Sequence, residues 1–98
     1  MPNPIIWSPL SEKDFESILE YLHSNWDDKV VHQFVEITDK LVNQISINPK
    51  QFPIIHGRKK VRKCVITMYN TLFYRDRKEY IDILRIYDTR QDPKRFRF

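Results

Sequence analysis

The sequence is poor in glycine and cysteine and has no long apolar run. It contains one glycine and six prolines, without an internal repeat or a low-complexity tract, which argues against a linker, a solenoid or a long disordered tail. Of its 98 residues, 41% are hydrophobic and 13% aromatic. Because a chain of this size can bury one core but hardly two, we expect residues 1–98 to form a single domain.

Signals for metal binding and for export are also missing. The one cysteine, Cys64, cannot form an internal disulfide, and the three histidines lack the CxxC or HExxH spacing of metal sites. The N-terminal segment MPNPIIWSPL has no basic n-region and no apolar run long enough for a signal peptide or a membrane span. We expect no metal ion, no cofactor and no membrane contact, and a cytoplasmic location.

The net charge of +4 conceals a division along the chain. Residues 1–55 carry four lysines against eight acidic residues, which is a net charge of −4. Residues 56–98 carry thirteen basic residues against five acidic ones, which is a net charge of +8. The second half is therefore the candidate for binding a polyanion or an acidic protein.

The first quarter of the chain predicts a strand followed by a helix. PIIWS, at residues 4–8, is a short β-branched and aromatic run typical of a strand. Ser11 is a candidate N-cap for a helix that begins near residue 12, with Asp14 placed to reach back to the helix start. The apolar stripe of this helix, which we expect to be buried, consists of Phe15, Ile18, Leu19, Leu22 and Trp26.

A second helix and a set of strands follow. Asp27 or Asp28 can cap the second helix, which Asn48-Pro49 ends, and the short break predicts an antiparallel helical hairpin. After the loop NPKQFPIIHGRKK, the segments VRKCVIT, TLFYR and EYIDILRIYD are rich in β-branched and aromatic residues and are joined by hairpin-length connections. We predict an α+β fold of order β-α-α-β-β-β, a helical hairpin packed on a small antiparallel sheet, with the last strand in the sheet interior.

Several local sequences, taken in order, resemble the RelE/ParE superfamily of type II toxin–antitoxin toxins. They are SPLSEKDFESILEYL after the first strand, the tryptophan after the first helix, the NP that ends the second helix, LFYR, and ILRIYDTRQDP. No single motif is specific, whereas the ordered set at this length is. The resemblance implies a growth-inhibiting toxin, of a kind used in plasmid stabilisation, that is neutralised by a cognate antitoxin whose extended or helical segment covers its working face.

The resemblance leaves the target open, since some members cut mRNA on the ribosome and others poison DNA gyrase. Cleavage without a metal needs a base for the 2′-hydroxyl, cations for the charge on the phosphate, and an acid for the leaving oxygen. Where many relatives have Tyr-Arg before the LFY strand, this chain has Asn70-Thr71, and where many have histidine it has Asp88. The pattern of an RNA-cleaving member is therefore only partly present.

Two groups of residues are the candidates for a functional site. The catalytic candidates are Arg85, Tyr87, Asp88 and Arg90, and the RNA-binding candidates are Arg58, Lys59, Lys60, Arg62 and Lys63. The tail adds the cations Lys94, Arg95 and Arg97. The basic run can equally be a solvated loop and strand start, or a patch that contacts phosphates.

Three of the four catalytic candidates also have an ordinary structural explanation. Arg85 cannot stay buried unpaired, so it either pairs with a carboxylate such as Asp82 or Asp88 or reaches an open groove. Tyr87 is either a half-buried strand aromatic or an acid or base whose pKa neighbouring cations lower. Asp88 is either an arginine partner or turn former, or a base. Arg90 follows the strand end where the active edge of the family lies.

Three hypotheses follow from the sequence. The first is a metal-independent endoribonuclease that cleaves mRNA on the ribosome. The second is a non-catalytic inhibitor of DNA gyrase, which the long helical hairpin and the incomplete catalytic set would allow. The third is a degenerate toxin retained for binding its antitoxin.

Overall fold

The structure is a computed structural model that describes residues 2–90, with His56 described by its backbone alone. Within these residues the chain forms β1 (Ile5–Trp7), α1 (Pro9–Asn25), α2 (Asp28–Ile47), β2 (Ile54–His56), β3 (Val61–Thr67), β4 (Asn70–Asp76) and β5 (Ile81–Asp88). The strands form one sheet in the order β1-β5-β4-β3-β2. β1 is parallel to β5, and the other neighbours are antiparallel. The predicted α+β fold is confirmed, as is the interior position of the last strand.

The first helix begins earlier than the sequence predicted. Ser8, not Ser11, is the N-cap, and its side-chain oxygen accepts a hydrogen bond from the Ser11 amide at 3.0 Å. Pro9 occupies the first turn, where its fixed φ suits a helix and its missing N–H would have had no partner. The Ser11 hydroxyl instead donates to the Ser8 carbonyl at 2.9 Å.

The second helix matches its predicted ends. Asp27 is the N-cap and accepts a hydrogen bond from the Val30 amide at 3.1 Å. Asn48 is the C-cap, and its amide donates to the Gln44 carbonyl at 2.9 Å. Within the described residues no helix is both long enough and apolar enough to cross a membrane.

The core lies between the two helices and one face of the sheet. Its buried residues are Ile18, Leu22, Phe34, Ile45, Cys64, Ile66, Leu72, Tyr74, Ile81, Ile83 and Ile86. Cys64 is fully buried, which confirms that it is a small core residue. The Tyr74 hydroxyl donates to the Pro49 carbonyl at 2.6 Å and so ties β4 to the loop after α2. These contacts hold the helical hairpin against the strands.

Two predictions about individual elements were wrong. Trp26 was expected in the buried stripe of the first helix, but it is the C-cap of α1, in extended backbone, and 58% exposed. The strand β2 was not predicted, because three residues between a proline and a glycine are too few to show an alternating pattern. β2 pairs with β3 across an irregular register and forms an edge of the sheet.

Candidate functional site

Arg85 is held in a buried ion pair with a residue of the first helix. Its Nε and Nη2 donate to the two carboxylate oxygens of Asp14 at 2.8 and 3.0 Å. The side chains are 10% and 12% exposed. These hydrogen bonds raise the pKa of Arg85, so the guanidinium stays charged. Arg85 does pair with a carboxylate, but the partners that were named, Asp82 and Asp88, were wrong.

Asp14 has this position because α1 covers a sheet edge that β1 leaves open. β1 pairs with β5 only as far as Trp7 and Ile83. Beyond that point the Ser8 hydroxyl donates to the Leu84 carbonyl at 2.9 Å, and the Ile86 amide donates to Asp14 at 3.0 Å. A strand edge needs partners for its amides and carbonyls. Asp14 therefore replaces a missing strand and does not cap its helix, contrary to the prediction.

Arg90 forms a second fixed arginine–carboxylate pair, with Asp88 at the end of β5. Its Nε and Nη2 each donate to Asp88 at 2.9 Å, and so does its backbone amide. The guanidinium also lies over two rings, 4.4 Å from the centroid of Tyr21 and 4.7 Å from that of Tyr69. The hydrogen bonds to Asp88 raise the pKa of Arg90, against a smaller lowering by burial. Asp88, whose side chain is 2% exposed, is an arginine partner as one of its two explanations predicted.

Tyr87 does not join these residues. It pairs across the strands with Thr71 of β4, which in turn pairs with Val65 of β3. Because successive side chains of a strand point to opposite faces, Tyr87 lies on the face opposite to Asp88. The structure therefore separates Tyr87 from Asp88 and Arg90, and the catalytic role of the four candidates stays a prediction.

The RNA-binding candidates are also divided. Arg62 donates to the Phe52 carbonyl at 2.7 Å and to the Lys50 carbonyl at 3.3 Å, so it holds the loop that precedes β2. Lys63 is exposed on β3. The remaining three, Arg58, Lys59 and Lys60, line a charged pocket. Lys94, Arg95 and Arg97 lie outside the described residues.

Arg90 and the turn that carries Arg58, Lys59 and Lys60 lie at opposite ends of the sheet, whereas Arg85 and Lys63 lie in its middle, where both pair with Phe73. Asn70 pairs with Asp88 at one end of β4 and β5, whereas Asp76 pairs with Ile81 at the other. The turn before β3 is at this second end, since Val61 pairs with Arg75. β4 has 7 residues, and at about 3.3 Å per residue the ends are roughly 20 Å apart.

An apolar groove that the sequence did not reveal lies between the helices and the turn that joins β3 to β4. Its volume is about 570 Å³. The residues that give the groove its character are Leu22, Trp26, Ile37, Met68, Tyr69 and Arg90. Trp26 and Met68 are 58% and 81% exposed. The available signal was the presence of large apolar side chains in two turns, where small polar residues usually stand.

The floor of this apolar groove contains a polar group without a partner. Asn70 lines the groove and is 3% exposed. Its side-chain oxygen accepts from the Thr67 hydroxyl at 2.8 Å, but its Nδ2 has no hydrogen-bond partner among residues 2–90. Buried donors are normally paired. The apolar groove therefore offers exposed apolar surface together with an unsatisfied donor and one stacked cation.

Several solved structures have a similar shape. The chromosomal ParDE TA system from P. aeruginosa superimposes with a TM-score of 0.74 at 16% identity, over 88% of this chain and 95% of that one. The YoeB/ParE toxin from Agrobacterium tumefaciens gives 0.63 at 15% identity, over 87% and 96%. The YoeB dimer from Staphylococcus aureus gives 0.63 at 19% identity, over 89% and 97%. At these identities the likeness shows a shared fold and nothing more.

The sequence comparison is more specific. The family model for the ParE toxin of the type II toxin–antitoxin system parDE matches residues 5–93. The chain belongs to this family, which confirms the resemblance found in the sequence and implies a cognate antitoxin as partner. No curated protein sequence matches the chain.

Proposed function

We propose that this chain is a growth-inhibiting toxin that acts by binding DNA gyrase and not by cutting mRNA. The observation that carries the proposal is the pairing of both candidate arginines. Arg85 and Arg90 each bind a carboxylate through two nitrogens. The cations that would stabilise the charge on a cleaved phosphate are therefore already engaged with protein groups.

Releasing either arginine for RNA would be costly. A buried carboxylate that loses its partner costs about 3 to 5 kcal/mol, and Asp88 would be left in this state if Arg90 turned toward a phosphate. Removing one charge-stabilising contact from an active site costs roughly 3 to 4 kcal/mol. The two magnitudes are similar, so a contact made by Arg90 with phosphate would gain little over its bond with Asp88. Membership of the ParE toxin family also supports a target other than mRNA.

Ribosome-dependent mRNA cleavage is the second candidate, and one observation favours it. Arg90 lies against Tyr69, which is 43% exposed. A cation beside an exposed aromatic ring suits a single-stranded RNA base, which stacks on the ring while the cation meets its phosphate. In this function Tyr87 would have to act from the other face of the sheet.

The test begins with induced expression in bacteria, which we expect to slow growth until the adjacent antitoxin is co-expressed. The purified chain should inhibit supercoiling by gyrase, whereas primer extension on mRNA from induced cells should show no breaks at the ribosomal A site. Tyr87→Phe, which keeps the ring and removes the hydroxyl, should leave inhibition of gyrase unchanged.

Two results would overturn the proposal. A-site breaks with unaffected gyrase would establish the ribonuclease, and Tyr87→Phe or Arg90→Ala should then reduce cleavage by about two to three decades if either supplies a catalytic contact. Normal growth at confirmed expression of folded chain would exclude an active toxin and leave the degenerate one.

A further inference from the structure

The second end of the sheet carries a pocket lined entirely by charged residues. We call it the basic pocket, and its lining residues are the cations Arg58, Lys59, Lys60, Arg75, Arg77 and Lys78 together with Asp76. Its volume is about 460 Å³, within the range of about 300 to 1,000 Å³ that ligand pockets usually have. Only three of these cations belong to the basic run that the sequence singled out, and the strand pairing brings the other three beside them.

Hydrogen-bonded turns hold the basic pocket in place. In the first turn, the Lys60 amide donates to the Gly57 carbonyl at 3.3 Å. In the second, the Arg77 amide donates to the Tyr80 carbonyl at 2.9 Å. The carboxylate of Asp76 accepts from the Lys78 amide at 2.9 Å, so the one acid of the pocket fixes a turn. Arg77 makes a long contact of 3.4 Å with Asp82, and both groups are partly exposed.

Two of the lysines occupy backbone positions that lysine rarely adopts. Lys60 has a φ of 55° and Lys78 a φ of 70°. In this left-handed region a side chain crowds the backbone, which is why glycine and asparagine are preferred there. Both unusual lysines line the same pocket. Backbone preference does not account for lysine at either position, whereas a need for positive charge does.

The wall of the basic pocket also contains an unsatisfied donor. The Nε of Arg75 is buried and has no hydrogen-bond partner among residues 2–90. A guanidinium binds oxyanions through its N–H groups in a fixed fork. An oxyanion bound by the Arg75 guanidinium would give this group an acceptor.

We propose that the basic pocket binds the phosphates of a nucleic-acid backbone, without reading its bases. A phosphate backbone presents regularly spaced negative charge and is held by lysine and arginine. An acidic peptide would in addition bury apolar side chains, and none of the lining residues is an apolar one against which they could pack. The basic pocket lies at the opposite end of the sheet from the apolar groove and Arg90.

The test uses a pair of lysine variants that separates binding from folding. Lys60→Gly combined with Lys78→Gly removes two cations and relieves two unfavourable φ values, so the melting temperature should stay equal or rise. Fluorescence anisotropy with a labelled mixed-sequence duplex DNA should show weaker binding than for the unchanged protein. The slope of log K against log salt should become shallower by about one for each lysine that contacts a phosphate.

The matched control is Lys13→Ala combined with Lys40→Ala, which removes the same charge from exposed positions of α1 and α2. It should bind the duplex nearly as well as the unchanged protein. Equal losses in the two variants would mean a general effect of net charge and would overturn the proposal, as would no loss in either. Displacement of the duplex by polyglutamate as effectively as by unlabelled single-stranded RNA would assign the pocket to an acidic peptide and would also overturn it.

Discussion

A single residue, Asp14, both pairs with a buried arginine and accepts a backbone amide of the sheet edge. It neutralises Arg85 through two hydrogen bonds and accepts the Ile86 amide, although 71 and 72 positions separate it from these partners in the sequence. A buried charge pair is not in itself a strong source of stability, because both ions lose their hydration. Removing only one of the two partners is nevertheless costly, because the other charge stays buried without it. The pair therefore fixes where α1 lies on the edge of β5.

We predict that Asp14→Ala destabilises the fold by about 3 to 5 kcal/mol, because it removes the carboxylate that pairs with the Arg85 charge and accepts the Ile86 amide. Urea unfolding at neutral pH measures this change. The control is Asp82→Ala, which removes the acid of a partly exposed pair with Arg77 and should cost about 1 kcal/mol or less. Similar small losses in both variants would show that Asp14 is not needed to hold Arg85.

At the residue scale, the sequence could predict the need for a partner but not the partner. An arginine within an apolar strand must be paired or reach water, and Arg85 is paired. The residues considered, Asp82 and Asp88, were its neighbours in sequence. Asp88 is instead engaged by Arg90, and the pairing of Asp14 depends on where β1 stops, which no local pattern records.

At the element scale, the periodic segments were predictable and the irregular ones were not. Both helices and the strands of the meander follow their apolar spacing, because each buries one face. β2 is too short to show a period. In β5, Ile83 pairs with Tyr74 and Arg85 pairs with Phe73, so Leu84 is an extra residue. Such a bulge changes the direction of the side chains that follow it, which is why the arrangement at the end of β5 could not be read from alternation alone.

The apolar groove is a property of packed elements and not of any one segment. It forms where the turn between β3 and β4 brings Met68 and Tyr69 near the helices, which contribute Trp26 and Ile37. An exposed apolar surface of this kind usually marks an interface. Family membership implies an antitoxin, and a segment of it with apolar side chains would fit here, in agreement with the covering segment that the resemblance implied.

We predict that Ile37→Glu weakens binding of the cognate antitoxin by roughly tenfold or more, since a charge placed in an apolar interface loses its hydration without gaining a partner. The control is Ile47→Glu. Ile47 is on the same helix and 63% exposed, but it is not part of the apolar groove. Calorimetric titration with the purified antitoxin compares the two. An equal affinity for both variants would place the antitoxin on another surface.

At the scale of the whole molecule, the division of charge along the chain becomes a division in space. Residues 1–55, with a net charge of −4, include both helices, whereas β3, β4 and β5 belong to the basic half. This spatial division of charge follows from the sequence once the fold is known. The separation of the basic pocket from Arg90 does not, because it depends on the pairing of β3, β4 and β5, which places their turns at opposite ends.

One core also means that titration of a single buried group affects the stability of the entire fold. Cys64 and Tyr74 are both fully buried in this core. Burial raises the pKa of the Cys64 thiol from its ordinary 9.0 to about 11. Burial likewise raises the pKa of the Tyr74 hydroxyl from 10.0 to about 12, against a smaller opposing effect of Arg62. In each case the unfolded chain loses its proton at a lower pH than the folded one.

The free energy of unfolding should therefore fall with rising pH. Below pH 9.0 both groups are protonated in both states and contribute their full stability, and the loss is complete above about pH 12. Each group accounts for up to about 3 kcal/mol of this free energy.

Cys64→Ala should be less stable than the unchanged protein at neutral pH, but its free energy of unfolding should decline less steeply between pH 9.0 and about 11. Urea unfolding across this range measures the slopes. Parallel curves for Cys64→Ala and the unchanged protein would show that the thiol ionises equally in both states.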